Sequence, residues 1–309
     1  MDFKHQPVLL RECIKALSID PEGVYVDGTA GGGGHSTAIA ERLSTGKLIC
    51  LDRDPEAVRA VSERLAGFGS RVVVVQSNYS ALPEVLDGLG VARVNGILLD
   101  LGVSSHQLDK AERGFSYHQD APLDMRMEKD GMSAADVVNN YDEDALSRIF
   151  RDYGEERFAR KIAAGIVKVR QEGPILSTGE LVDIIKENIP AAARREGGHP
   201  AKRVFQAIRI EVNAELNHLK DCLESTFEFL TPGGRFAIIA FHSLEDRPVK
   251  QAFAKFTLGC TCPPEFPVCV CGKTPRARLV GKKPITASAS ELEENNRSRS
   301  AKLRVLEKL

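Results

Sequence analysis

Four short runs in the first hundred residues are apolar almost from end to end: Val24-Tyr-Val-Asp27, Lys47-Leu-Ile-Cys-Leu-Asp52, Arg71-Val-Val-Val-Val-Gln76 and Gly96-Ile-Leu-Leu-Asp100-Leu101. A strand with one wet face alternates apolar and polar residues. A strand that does not alternate is buried on both faces. The segments between these runs read as helices. Ser36-Thr-Ala-Ile-Ala-Glu-Arg-Leu43 is one, and Asp54-Pro55 opens another, with the acid at the cap and proline in the first turn. Strands alternating with helices that cover both faces make an α/β fold with a doubly wound parallel sheet.

From about Ser105 the rhythm changes. Residues 105–135 are polar with scattered Gly, Pro and Met, and 142–189 read as helical over Asp144–Phe150, Glu155–Arg170 and Thr178–Asn188. Residues 190–203 are basic and rich in Gly and Pro, and Val204–Leu230 reads as one or two amphipathic helices. After the turn Thr231-Pro-Gly-Gly234, the run Arg235-Phe-Ala-Ile-Ile-Ala-Phe241 is a buried strand, so the sheet resumes. The expected organisation is a discontinuous core, 1–104 and 213–309, split by a helical insertion, 105–212. Alternation in Ala301–Lys308 predicts an edge or hairpin strand closing the sheet.

A glycine cluster, Asp27-Gly-Thr-Ala-Gly31-Gly-Gly33-Gly34-His35-Ser36, lies between the first strand and the first helix. Glycines there let backbone approach a ligand, and the helix start offers free N–H groups. The G-x-G-x-x-G spacing of dinucleotide sites fails, because Ser36 stands where the third glycine belongs. A Walker loop needs a Gly-Lys-Ser/Thr that is absent. An acid followed by glycines at Gly31 and Gly33 instead resembles the first motif of S-adenosylmethionine-dependent methyltransferases. Asp52 ends the second strand about 20 residues later, where a carboxylate can accept both ribose hydroxyls; helix capping is its other reading. Ser77-Asn78-Tyr79 and Asp100–Ser105 follow the third and fourth strands, at the ends where such sheets bind ligands. Tyr79 could flank an adenine or be a half-buried loop aromatic.

Further motifs stand in order: His5-Gln-Pro-Val-Leu-Leu10, Leu51-Asp-Arg-Asp-Pro55, Gly96–Ser105, Arg113-Gly-Phe-Ser-Tyr117, Pro122-Leu-Asp-Met-Arg-Met127, Tyr153-Gly-Glu-Glu-Arg157, His199–Arg209 and Phe241-His-Ser-Leu-Glu-Asp-Arg247. Together with the glycine loop they closely resemble the ribosomal RNA small subunit methyltransferase H family, bacterial enzymes that methylate the exocyclic N4 of a cytidine in 16S rRNA. The resemblance runs nearly end to end. It implies a Rossmann-like methyltransferase core with an inserted all-helical substrate-recognition domain. S-adenosyl-L-methionine is the implied cofactor, on Gly33, Gly34, His35, Asp52, Tyr79, Asp100 and Gln107. The implied partner is 16S rRNA, free or in the assembled small subunit, with no DNA and no membrane. A nicotinamide oxidoreductase and a non-catalytic RNA-binding factor are the competing readings. The broken dinucleotide spacing speaks against the first, and the intact glycine loop with Asp52 and Asp100 against the second.

Methyl transfer to a cytosine amino group is limited by a delocalised lone pair, so acceptors for the amino hydrogens are the useful groups. Asp100 and Ser104 are the candidates after the fourth strand, and a helix cap is the other reading of Ser104. His242, directly after the fifth strand, could take the leaving proton or contact RNA; a hydrogen-bonded turn histidine is the alternative. Phe115, Tyr117 and Phe241 could stack on a flipped base or simply pack. No metal is assigned to this chemistry.

Net charge is −1, from 42 Lys and Arg against 43 Asp and Glu. That excludes a uniformly basic nucleic-acid coat protein and leaves room for local basic surfaces. Three runs qualify: Arg194, Arg195, Lys202, Arg203 and Arg209; Lys273, Arg276, Arg278, Lys282 and Lys283; and Arg297, Arg299, Lys302 and Arg304. The first two are expected to face RNA, and part of the third to be solvated surface. No apolar run is long enough to span a membrane, and the Met1–Pro7 segment lacks the apolar stretch of a secretory signal. Seven cysteines, an odd number, fit a reducing cytoplasm. Cys13, Cys50 and Cys222 read as core. Cys260, Cys262, Cys269 and Cys271 form two C-x-C pairs that either hold zinc or stay free thiols.

Overall fold

The computed structural model describes residues 7–194, 198–263 and 265–309. His5 and Gln6 of the first motif and Arg195 of the first basic run lie outside them. The chain divides into two compact units, one made of 1–102 with 216–309 and the other of 103–215.

The first unit is built on a seven-stranded sheet: β1 (Val24–Asp27), β2 (Lys47–Asp52), β3 (Val72–Gln76), β4 (Val94–Asp100), β5 (Leu230–Ala240), β6 (Ala277–Leu279) and β7 (Lys302–Lys308). The spatial order is β3-β2-β1-β4-β5-β7-β6. β1 to β5 are parallel, and β7 runs antiparallel to both β5 and β6. The order reverses between β1 and β4, the switch point where an open α/β sheet has a ligand crevice at its strand C-termini.

Both faces of the parallel strands are covered, which is why their sequences do not alternate. Val26, Ile49, Leu51, Ile97, Leu99, Phe236 and Ile238 pack on one side with Leu219, Leu223, Phe227 and Phe253. Tyr25, Leu48, Cys50, Leu98, Ala237 and Ile239 pack on the other with Leu9, Cys13, Ile39 and Leu65. Cys13, Cys50 and Cys222 are buried thiols, as expected.

The C-terminal strand forms where its alternation predicts, and of the edge and hairpin alternatives the edge is the one that fails. β7 is not an edge: it lies between β5 and β6, with Arg235 opposite Glu307 and Arg278 opposite Glu307 from the two sides. The true edge is β6. Three residues inside a basic loop carry too little periodicity to announce a strand.

The second unit is helical, with Glu143–Asp152, Ala159–Val169, Thr178–Asn188 and Lys202–Val212 around a core of Phe150, Ile162, Ile166, Leu181, Ile185, Val204 and Ile208. Its helix starts are legible in capping residues. Asp142 caps the first, and Ser177 with Glu180 makes a reciprocal capping box on the third. Of the one or two helices expected over Val204–Leu230 there are two, separated at Ala214, whose φ is +48°. The polar motif residues 113–127 brace this unit. Arg113 donates to the Arg126 and Met127 carbonyls, and Asn213 accepts from the Met127 N–H while donating to the Met125 carbonyl. Among the described residues no helix is long and apolar enough to cross a membrane.

Candidate active site

The glycine loop needs its glycines for two separate reasons. Gly33 has a φ of +78°, a left-handed conformation that costs an L side chain roughly 1–2 kcal/mol. Gly28 and Gly34 need the absence of a side chain. A Cβ on Gly28 would stand 2.4 Å from Leu99 Cδ2, and one on Gly34 would stand 2.2 Å from Pro7 Cγ. His35 then turns inward. It is 6% exposed, and its Nε2 donates to the Val8 carbonyl at 3.0 Å, which clamps the N-terminal segment over the loop. Burial pushes the imidazole below its ordinary range, against the pull of Asp27, so it is neutral and Nδ1 carries the lone pair. Asp27 closes the loop from beneath, with Oδ2 accepting from Ser36 Oγ at 2.6 Å and Oδ1 from the Thr29 N–H at 3.2 Å.

Asp52 lies at the C-terminal end of β2, beside this loop. Its Oδ2 accepts from the Gly31 N–H at 2.8 Å and its Oδ1 from the Asp54 N–H at 2.9 Å. Burial pushes it up to about 6, despite the two N–H groups that favour the charged form. Helix capping is done by its neighbour: Asp54 accepts from the Glu56 N–H and caps the helix that Pro55 opens. Each Asp52 oxygen keeps a lone-pair direction for a further donor. Tyr79 follows β3 and reaches back toward the switch point, its Cβ 3.2 Å from where a Gly28 Cβ would be.

Asp100 ends β4. Its backbone N–H donates to Thr29 Oγ1 at 2.6 Å, which ties β4 to the glycine loop. Its Oδ2 lies 3.7 Å from His35 Nδ1. Its Oδ1 is buried and has no hydrogen-bond partner among the described residues. A buried, unpaired carboxylate oxygen is costly, and its presence at a crevice marks a position shaped for a donor from outside the chain. Burial first, then Asp27 and Glu245, push the Asp100 carboxyl well above the usual range.

In the first turn of the helix Ser243–Thr257, Glu245 organises the end of β5. Its Oε2 accepts from the Phe241 and His242 N–H groups at 2.8 and 3.3 Å. His242 Nε2 lies 3.2 Å from Glu245 Oε1 without hydrogen-bond alignment, and neither ring nitrogen has a partner among the described residues. Thr29 and Glu245 are site residues that sequence reasoning missed. Each is a single polar residue with no spacing rule, and only the register of β1, β4 and β5 brings them to Asp100. A crevice lined by the glycine loop, Asp52, Tyr79 and Asp100 could hold a nucleoside-bearing cofactor, with Asp52 toward its hydroxyls.

The sequence profile of the MraW methylase family matches residues 2–309. The chain belongs to the MraW methylase family. It is 57% identical to "Ribosomal RNA small subunit methyltransferase H 2" of Agathobacter rectalis, covering all of this chain and 99% of that protein. It is 55% identical to "Ribosomal RNA small subunit methyltransferase H" of Symbiobacterium thermophilum, covering all of this chain and 98% of the relative. The protein of that name from Brevibacillus brevis is 52% identical, over the whole of this chain and 99% of its own.

In this methylase Ser104 and Gln107 belong to the second unit, and there they form a capping box. Ser104 Oγ accepts from the Gln107 N–H at 3.2 Å, and Gln107 Oε1 accepts from the Ser104 N–H at 3.0 Å. Ser104 therefore has the helix-cap role that the sequence left open beside catalysis. Two of the three candidate base-stacking rings are also committed. Phe115 is core, and Tyr117 is stacked on His199 with ring centroids 4.5 Å apart and 16° between planes. Phe241 is only partly buried, against the core face that contains Ile239 and Leu303.

Several members of the basic runs carry a carboxylate partner. Arg209 makes a two-pronged pair with Glu215 at 2.7 and 2.9 Å. Arg276 pairs with Glu228 and lies over the Phe227 ring, and Arg278 pairs with Glu307. Arg304 and Lys302 share Asp246. Lys202, Lys273, Lys282 and Lys283 remain exposed. Arg194 lines a groove of the second unit with Lys186 and His199. The carboxylates at the strand ends do not gather as a metal set. Among the described residues the one such cluster is the four cysteines at 260–271.

Proposed function

We propose that this methylase transfers the methyl group of S-adenosyl-L-methionine to the exocyclic N4 of a cytidine in 16S rRNA, free or in the assembled small subunit. The observation that carries the reading is the unpaired Asp100 Oδ1 at the switch point, next to a glycine loop pinned by Asp52. Family membership and the names of relatives above 50% identity support the coarser part of the reading, methylation of small-subunit ribosomal RNA. The residues fit the cofactor: Gly33 and Gly34 give the loop its turn and its packing against Pro7, His35 holds the loop, Asp52 accepts the ribose hydroxyls and Tyr79 flanks the adenine.

When bound, the cofactor supplies an electrophilic sulfonium methyl, so the chain's own work is alignment and proton handling. Asp100, when ionised, accepts an amino hydrogen at Oδ1 and draws the N4 lone pair toward the methyl. The proton released on N-methylation passes to that carboxylate, whose raised pKa suits it to hold a proton. Neutral His35, with its Nδ1 lone pair facing Oδ2, favours the protonated carboxyl and so helps Asp100 hold the proton once it is taken. His242 is the second proton acceptor or an RNA contact, with Nε2 beside the Glu245 carboxylate at 3.2 Å. Ser104 supports this arrangement as a cap. The unit 103–215 recognises the substrate, and phosphate contact falls to Arg194, Lys202 and Arg203 there and to Lys273, Lys282 and Lys283 in the core unit.

The test is incubation with labelled S-adenosylmethionine and undermethylated small-subunit particles or 16S rRNA, followed by nucleoside mass spectrometry. N4-methylcytidine is the expected product. Methyl on C5, on the ribose or only in protein or DNA overturns the reading.

A further inference from the structure

The residues between the helix Ser243–Thr257 and β6 form no described helix or strand, and they have no core of their own. Phe266, Val268 and Val270 in this stretch are exposed, the two valines by 70% and 72%. The loop is tied at its stem, where the Arg276 N–H donates to the Phe256 carbonyl at 2.9 Å. Yet its four cysteines converge. The Sγ atoms of Cys260, Cys262, Cys269 and Cys271 all lie within 4.8 Å of one another.

We infer that these four thiolates bind one structural zinc ion. A Zn–S bond of about 2.3 Å in a tetrahedron sets neighbouring sulfurs about 3.8 Å apart. Cys269 and Cys271 stand 3.6 Å apart, and Cys271 and Cys260 stand 3.7 Å apart. All four are free thiols rather than disulfides.

The backbone around them is arranged as a support for thiolates. The middle residue of each C-x-C turn points its N–H across to a sulfur of the opposite arm. Thr261 donates to Cys271 Sγ at 3.5 Å, and Val270 donates to Cys262 Sγ at 3.4 Å. The Cys262 N–H adds a third such bond, to Cys260 Sγ at 3.4 Å. N–H donors of this kind orient metal ligands and temper their charge. Thiols are weak hydrogen-bond partners and gain little from clustering on an exposed loop. A metal supplies the stabilisation that the missing core does not. Four sulfur ligands select zinc or iron–sulfur chemistry over magnesium or calcium. They also close the tetrahedron, so the ion has no open position for a substrate and acts as a staple. The staple holds Lys273, next to the second arm, in a fixed place on the surface.

The experiment uses the full chain, expressed with zinc in the medium and purified under reducing conditions without chelator. Metal analysis is expected to give about one zinc per chain. Cobalt(II) added to chelator-stripped protein is expected to produce the visible absorption of a tetrahedral thiolate site, bleached by added zinc. The double variant Cys269→Ser, Cys271→Ser is expected to lose the zinc while keeping the helical circular dichroism of the wild type. Limited proteolysis after stripping is expected to cut within 258–276 first. Substoichiometric zinc, iron in its place, a variant that keeps its zinc, or cobalt without thiolate absorption each overturns the assignment. The cobalt spectrum is read on the wild type, so a variant that fails to fold leaves the test decisive.

Discussion

Replacing Asp52 with Asn probes the cofactor assignment at its most quantitative point. In the wild type both carboxylate oxygens hold backbone N–H groups, from Gly31 and Asp54, and each retains a lone pair for a ribose hydroxyl. Hydrogen bonds to a charged group contribute about 1.5–3 kcal/mol each. Asn offers one neutral acceptor and turns an NH2 toward a backbone donor. The combined loss is about 3 kcal/mol, on the order of a hundredfold in Kd.

The pH dependence gives a second readout. Burial holds Asp52 at about 6, so lowering the pH from 7 to 5 protonates most of it. Hydroxyl donors favour the ionised form, so affinity rises with pH through this window. At pH 5 about one-tenth is ionised and binding is roughly tenfold weaker than its plateau. Isothermal titration calorimetry with S-adenosylhomocysteine and its 2′-deoxy analogue, on wild type and Asp52→Asn, completes a double-mutant cycle. The wild type should discriminate strongly between the two ligands and the variant weakly. A variant that rejects the deoxy ligand as strongly as the wild type refutes the ribose contact, whatever its overall affinity. A flat wild-type profile between pH 5 and 7 refutes the electrostatic part.

Three other substitutions separate the remaining roles. Asp100→Asn should lower kcat by about a hundredfold or more, within the range of a general acid–base group, while cofactor Kd moves less than tenfold; equal losses in both would make Asp100 a binding residue. Wild-type kcat should also rise with pH as the raised Asp100 carboxyl ionises, and the Asn variant should lose that limb. Ser104→Ala removes a helix cap worth about 1 kcal/mol and should leave single-turnover methyl transfer within tenfold; a larger loss at unchanged stability returns Ser104 to the chemistry. Gly33→Ala, at a φ of +78°, should cost roughly 1–2 kcal/mol in urea denaturation, and an unchanged midpoint contradicts the strain argument.

What could be read from the sequence followed from how many residues carried each signal. β1 and β2 are legible to the residue, because several consecutive apolar positions buried on both faces leave no other pattern. The helix Thr178–Asn188 is equally legible, since Ser177 and Glu180 mark its start. β6 and the placement of β7 were hidden, because strand order depends on pairings between residues tens of positions apart. The site shows the same division. Asp52 and Asp100 stand at the ends of readable strands. Thr29 and Glu245 do not announce themselves, and the reciprocal cap of Ser104 and Gln107 rests on a geometry that no residue type dictates. Charge runs hide the ion pairs. Sequence counts Arg209, Arg276 and Arg278 as cations, while folding gives each a carboxylate.

The insertion also fixes an order of events during synthesis. β4 is complete at Asp100, but the strand that pairs its free side, β5, begins at Leu230. All of 103–215 emerges from the ribosome in between. At about 5–20 residues per second that interval lasts on the order of ten seconds, far longer than a small helical unit needs to fold. The nascent chain therefore carries a complete helical unit and a half-sheet whose β4 edge has no partner yet. Such an edge templates pairing with other chains. The interval between β4 and β5 is therefore the stage of synthesis at which pairing with other chains competes with the native fold.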